Sequence, residues 1–100
     1  DGELLAALLR ALNHDANVNV RLSSLDALEK FSGNPEVRKA MVDSIPLQES
    51  PLVQIALIDA LVHARDNAAV LELKKLTGDA DLNVAVRQRA RWGIEKLSAN

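Results

Sequence analysis

The stretch Pro51–Ala64, PLVQIALIDALVHA, decides the architecture, because it is the most apolar run in the chain and the middle copy of a pattern that occurs three times. Val53-Gln54 within it has a counterpart 33 positions earlier, Val20-Arg21, and another 33 positions later, Val86-Arg87. The same offset takes Ala60-Leu61 back to Ala27-Leu28 and on to Gly93-Ile94. Self-similarity at a fixed period of this size marks supersecondary units that stack because none of them can bury its own apolar face alone.

Two further columns of the repeat hold only Asp, Asn and Ser. One is Asn17, Ser50 and Asn83; the other is Asp1, Asn34 and Asn67. These short side chains accept hydrogen bonds from the free N–H groups of a helix's first turn. Each unit therefore contains two helix starts. Pro35 and Pro51 directly follow two of the caps, at the first helical position, where the missing N–H costs nothing. One more step from Asn67 reaches Asn100, where a fourth unit would start.

The pattern predicts six helices. The first of each pair covers about 2–13, 35–45 and 68–77; the second covers about 18–32, 51–65 and 84–98. Gly33 and Gly78 stand where glycine ends a helix in the left-handed conformation, and Pro46 ends the third helix. No strand pattern, linker or low-complexity tract interrupts the units. The expected fold class is all-α: one domain, 1–100, built as an α-solenoid of three stacked two-helix units at about 1–33, 34–66 and 67–100.

At 100° per residue each second helix has three faces. In the first unit Val20, Ser24, Ala27, Leu28 and Phe31 face the partner helix. Val18, Leu22, Leu25 and Glu29 face a neighbouring unit. Asn19, Ser23, Asp26 and Lys30 face solvent. The neighbour-facing set is fully apolar in the middle unit (Pro51, Ile55, Ile58, Val62) and polar in the last (Val84, Gln88, Arg91, Glu95), so the third unit reads as a C-terminal cap. The first helix shows the opposite character. Leu4, Leu5, Leu8, Leu9 and Leu12 make an apolar face too broad for one partner helix. Since monomers seldom expose large apolar patches, Leu4, Leu5, Leu8 and Leu9 are candidates for self-association or for cover by an upstream segment.

Composition bounds the rest. Apolar residues are 48% and charged residues 26%, as in globular domains, while the only aromatics are Phe31 and Trp92, so Leu, Ala and Val fill the core. The formal charge of −2 creates no overall basic field for nucleic acid. The absence of cysteine excludes disulfides, thiolate zinc sites and a cysteine nucleophile. No apolar run approaches the roughly 20 residues of a membrane helix.

The segments DANVNVRLSSLDAL (15–28) and DLNVAVRQRARWGI (81–94) carry a turn Asp, then Val-Arg, then a small residue followed by an aliphatic one. ESPLVQIALIDALV (49–62) keeps the apolar frame with Gln54 in place of Arg. Over these residues the chain resembles HEAT-type helical repeats, in the short bacterial form, and the resemblance spans nearly its whole length. More narrowly, NPEVRKAMVDSI, SPLVQIALIDALV and VRQRARWGIEKL are similar to the C-terminal HEAT region of bacterial membrane-bound anti-sigma-factor-like proteins. That likeness implies an extracytoplasmic location and a start cut from a longer chain. The zinc-binding segment and membrane span of such proteins are not in this sequence. Ankyrin's TPLHxA and the Trp, Gly and Tyr positions of tetratricopeptide repeats are absent.

Candidates for chemistry are few. His14 and His63 lie in different units, neither is followed by Glu, and no ligand set converges on either by spacing. Asp26 and Asp59, 33 apart, read as neighbours on a solvated face. Ser23-Ser24 has no base nearby, and four scattered glycines form no phosphate loop. No catalytic residue, metal or cofactor is therefore assigned. The solvent-facing stripe of the second helices is the natural ligand surface of a stack. Its candidates are Asp26, Lys30, Asp59, His63, Arg89, Trp92 and Lys96, with Arg89 and Trp92 as anchors. The expected function is a non-catalytic protein-interaction or scaffold domain, with a protein or peptide partner. The alternative is a nucleic-acid-binding or enzyme-accessory repeat, suggested by Arg87, Arg89, Arg91, Lys96 and Trp92 on the last helix.

Overall fold

Helix formation follows the capping columns. In the computed structural model, which describes residues 1–99, the helices are α1 (Gly2–His14), α2 (Val18–Glu29), α3 (Pro35–Ser44), α4 (Pro51–His63), α5 (Ala69–Thr77) and α6 (Val84–Ser98), with a single 3₁₀ turn at Ile45–Leu47. No strand occurs among the described residues. Asn100, the expected start of a further unit, lies outside them. The carboxylate or amide oxygens of Asp1, Asn17, Asn34 and Asn83 accept from the backbone N–H two residues on, at 2.8–2.9 Å. Each such bond satisfies a donor the helix cannot, a contribution of about 1 kcal/mol per cap.

Helix α1 packs along α2, and α5 along α6. α4 lies between α2 and α6, while α3 touches α1 and α4. The Cα atoms span 35 × 31 × 15 Å, a thin dimension that suits helices in contact about 8–10 Å apart. One apolar cluster runs through the molecule. Leu12, Leu28, Met41, Ile45, Val53, Leu57, Ile58, Leu61, Leu73 and Val86 are fully buried in it. The Ile58 and Val62 face of α4 meets α6 at Gly93, where an added Cβ would lie 3.2 and 3.3 Å from their Cγ2 methyls and 3.1 Å from Leu73 Cδ1. The corresponding face of α6 (Val84, Gln88, Arg91, Glu95) is exposed.

Four expectations need correction. Val53 and Val86 are fully buried, but Val20 is 38% exposed. It opens onto a hollow with Leu8, Asn19, Ser23 and Ser24. Neither Gly33 nor Gly78 has positive φ; among the described residues the only one that does is Arg65, at φ 56°. The chain leaves α2 through tight i to i−3 bonds, Phe31 N–H to Leu28 and Ser32 N–H to Glu29, which need no left-handed residue and end the α-helix at Glu29 rather than Ser32. Finally, two of the expected caps make no side-chain cap bond: Ser50 ahead of α4, and Asn67, which does not cap α5. Asp66 accepts from the Ala68 N–H at 3.1 Å instead, and the helix begins one residue late, at Ala69.

A polar seam crosses the core. Gln48 Nε2 donates to the Leu12 carbonyl and to Ser44 Oγ, both at 3.0 Å. Arg21 joins it, with Nε donating to the Asp15 carbonyl and Nη1 to Gln48 Oε1 at 2.8 Å. Gln54 Nε2 donates to the Gln48 carbonyl at 3.0 Å. At the matching position of α6, Arg87 Nε is buried with no partner among the described residues.

Candidate functional site

The stripe of exposed positions on the second helices converges where α4 meets α6. Arg89 and Trp92 stand three apart on α6, so they share a face. The Arg89 guanidinium carbon lies 3.6 Å from the Trp92 ring centroid. From α4, Asp59 accepts from Arg89 Nε at 2.6 Å. The Arg89 and Asp59 side chains are 38% and 43% exposed, so their charge attraction is partly screened and worth on the order of 0.5–1 kcal/mol. Its larger effect is geometric: a cation stacked on one side and hydrogen-bonded on another has few conformations left.

Beside this pair an open groove of about 400 Å³ is lined by Ile55, Asp59, Ala85, Gln88, Arg89 and Trp92. Ile55 is half-buried and Ala85 is exposed. Leu52, three residues before Ile55 on α4, is 65% exposed.

The other end of the stripe is acidic. Glu29 on α2 has its carboxyl pushed above the ordinary range, first by burial, then by Asp26, with Asp59 adding to the effect and His63 opposing it. Asp26, His63 and Asp59 thus each act on the charge of Glu29. The helical spacing sets Glu29 against a neighbouring unit and outside the stripe. Its position three residues after Asp26 was the available signal. His63 also borders a second hollow with Val62, Arg65, Asn67, Lys96 and Leu97. Lys30 is exposed at the α2 end.

Of the seven stripe residues, the structure thus joins Asp59, Arg89 and Trp92 directly. Asp26 and His63 act on Glu29 through their charge, and His63 and Lys96 line one hollow. Asp59 pairs with Arg89 rather than standing against Asp26 as one of two free carboxylates. The apolar set at the other end divides: Leu4 is 48% exposed, while Leu5, Leu8 and Leu9 are partly buried against the core. No group of three or more His, Asp or Glu side chains among the described residues is arranged to hold a metal ion. No helix among them is long and apolar enough to cross a membrane.

Compared with known proteins, the chain matches no family model, no curated protein and no solved structure.

Proposed function

We propose that this chain is a non-catalytic protein-interaction domain, built as three stacked two-helix repeats of HEAT type. It would hold a protein or peptide along the exposed edge of α2, α4 and α6. The observation that carries the reading is the Arg89–Trp92 stack anchored on Asp59, 3.6 Å and 2.6 Å apart respectively. A preorganised Arg and Trp beside a groove is what interface hot spots are made of. The repeat arrangement is supported by the 33-residue offset and by the packing of α4 between α2 and α6. The narrower likeness supports a further proposal, that the module is the extracytoplasmic part of an anti-sigma-type regulator.

The test is selection of binders from a random peptide library displayed on phage. Trp92 is the only tryptophan and there is no tyrosine, so intrinsic fluorescence reports on the groove directly. Saturable binding that perturbs this signal is expected. Trp92→Ala should weaken binding of a labelled selected peptide about tenfold or more, while urea stability changes by no more than about 1 kcal/mol. Failure to select any binder would remove the reading. A stability loss of several kcal/mol in Trp92→Ala would show that Trp92 serves the fold instead.

A further inference from the structure

Resting on the interaction reading, the geometry points to a more specific occupant. We infer that the groove between α4 and α6 takes an acidic peptide segment, with a carboxylate on the Arg89 guanidinium and an aliphatic side chain against Ile55 and Ala85.

The argument starts from what Arg89 has left to offer. Asp59 engages its Nε, and no described residue accepts from its two Nη groups. The side chain is 38% exposed. Trp92 and Asp59 hold the guanidinium plane, which leaves its two Nη groups as parallel donors at the spacing of a carboxylate's two oxygens. The entropy of ordering a free arginine is already spent in the fold, which favours binding.

Charge complementarity then selects the sign. Asp59, the one acid lining the groove, is offset by Arg89, and Arg87 has its Nε buried; on the exposed surface of α6 that leaves Arg91 and Lys96 against the single acid Glu95. An anionic segment lying on α4 and α6 meets net positive charge there. It is repelled from the α2 end, where Asp26 and Glu29 lie, so the charge pattern also confines it to this groove. The apolar floor selects the chemistry next to the charge. Ile55 and Ala85, with Leu52 one turn before Ile55, offer a surface for Leu, Ile or Val.

The same cation and ring could serve a phosphate and a base, and the structure favours the peptide. One face of the Trp92 ring is covered by Arg89, where a base would stack. The basic surface stops at α6, whereas a nucleic acid strand needs a continuous track of cations.

The experiment uses the peptides recovered from the random library, together with labelled oligothymidylate as the anionic control. Enrichment of Asp or Glu next to Leu, Ile or Val is expected. Binding of an enriched peptide should fall about tenfold in Arg89→Gln, the scale of a lost charged hydrogen-bond pair, and comparably in Ala85→Glu. It should also weaken as salt is raised. Lys39→Gln, on the exposed surface of α3, should leave it unchanged. Should Arg89→Gln fail to fold, Ala85→Glu reads the same groove from an exposed position. Selected peptides that are basic, or that ignore both substitutions, would overturn the acidic occupant and leave the interaction reading standing. Oligothymidylate displacing the peptides at lower concentration would overturn it in favour of nucleic acid. Selection of no peptide at all would remove both readings together.

Discussion

Gln48 Nε2 donates to the carbonyl oxygen of Leu12 at 3.0 Å, joining two residues 36 positions apart in a place sealed from solvent. Gln48 follows the 3₁₀ turn that leaves α3, and Leu12 is in the last turn of α1, so this one amide ties the first helix pair to the second. Gln48 is 4% exposed and also holds Ser44 and Arg21. Replacing it with Leu keeps much of the volume and strands those partners. Gln48→Leu should therefore cost about 2–3 kcal/mol, the range for unsatisfied buried groups. Urea unfolding checks it, and a loss below about 0.5 kcal/mol would mean water or relaxation replaces the amide.

The seam has a counterpart that does not close. Arg21 is bonded to the Asp15 carbonyl and to Gln48, whereas Arg87 Nε in α6 has no partner among the described residues. An unpaired buried donor contributes a penalty rather than a bond. Arg21→Met should lose about 2 kcal/mol, while Arg87→Met should stay within about 0.5 kcal/mol of the parent or exceed it. Equal losses in the two variants, compared by denaturant melts, would show that Arg87 makes equivalent bonds in solution.

Gly93 stands in the middle of α6, where alanine would normally be preferred by about 1 kcal/mol. Here the added methyl would meet Leu73, Ile58 and Val62 at 3.1, 3.2 and 3.3 Å. Two of those neighbours are β-branched and stiff, and all three must yield together. Overpacking of this kind costs about 1–3 kcal/mol, which outweighs the propensity gain. Gly93→Ala should be destabilised by about 1 kcal/mol in thermal or urea unfolding, and the larger Gly93→Val by more. A stabilised Gly93→Ala would show that α4 and α6 separate freely enough to admit the methyl.

What could be read in advance follows from where the information sits. Asn17, Asn34 and Asn83 cap through bonds to residues two positions away, so local order is enough to find them. Val20 carries the same pattern as Val53 and Val86, yet its exposure depends on a neighbour that the pattern cannot supply. Gln48 looks like a surface residue because its partners lie far along the chain. The repeat did hold a hint: Arg21 to Asp15 and Gln54 to Gln48 are the same six-residue bond in consecutive units. The candidate site was legible as a stripe, since three-residue spacing places Arg89 and Trp92 together. The Asp59 contact was not, because it depends on how α4 and α6 settle against each other.

Arg65 ends α4 in the left-handed region, at φ 56°. Its N–H bonds to the Val62 carbonyl at 3.0 Å, and the Asp66 N–H to the Leu61 carbonyl at 3.1 Å, the two bonds of a Schellman cap. Glycine normally fills that position, since a side chain there costs about 1–2 kcal/mol. Part of the gain from glycine is returned through the freer unfolded chain. Arg65→Gly should therefore raise stability by about 0.5–1 kcal/mol, seen as a higher Tm. A decrease would mean that the Arg65 side chain makes a compensating contact beside His63.

Glu29 supplies a pH dependence whose direction can be stated. Its folded-state pKa is raised, chiefly by burial and then by Asp26 on α2, with Asp59 on α4 adding and His63 on α4 opposing. The folded protein thus holds this proton more tightly than the unfolded chain does. Stability from this group is greatest when the carboxyl is protonated, and it declines as pH rises from the ordinary glutamate range through the raised folded value. At neutral pH the ionised group is a net cost, which Glu29→Gln removes. The variant should be more stable than the parent at pH 7, and the difference should close as pH falls below the ordinary glutamate range. Urea unfolding at a series of pH values checks this. A stability difference that stays constant with pH would show that Glu29 acts through packing and not through its charge.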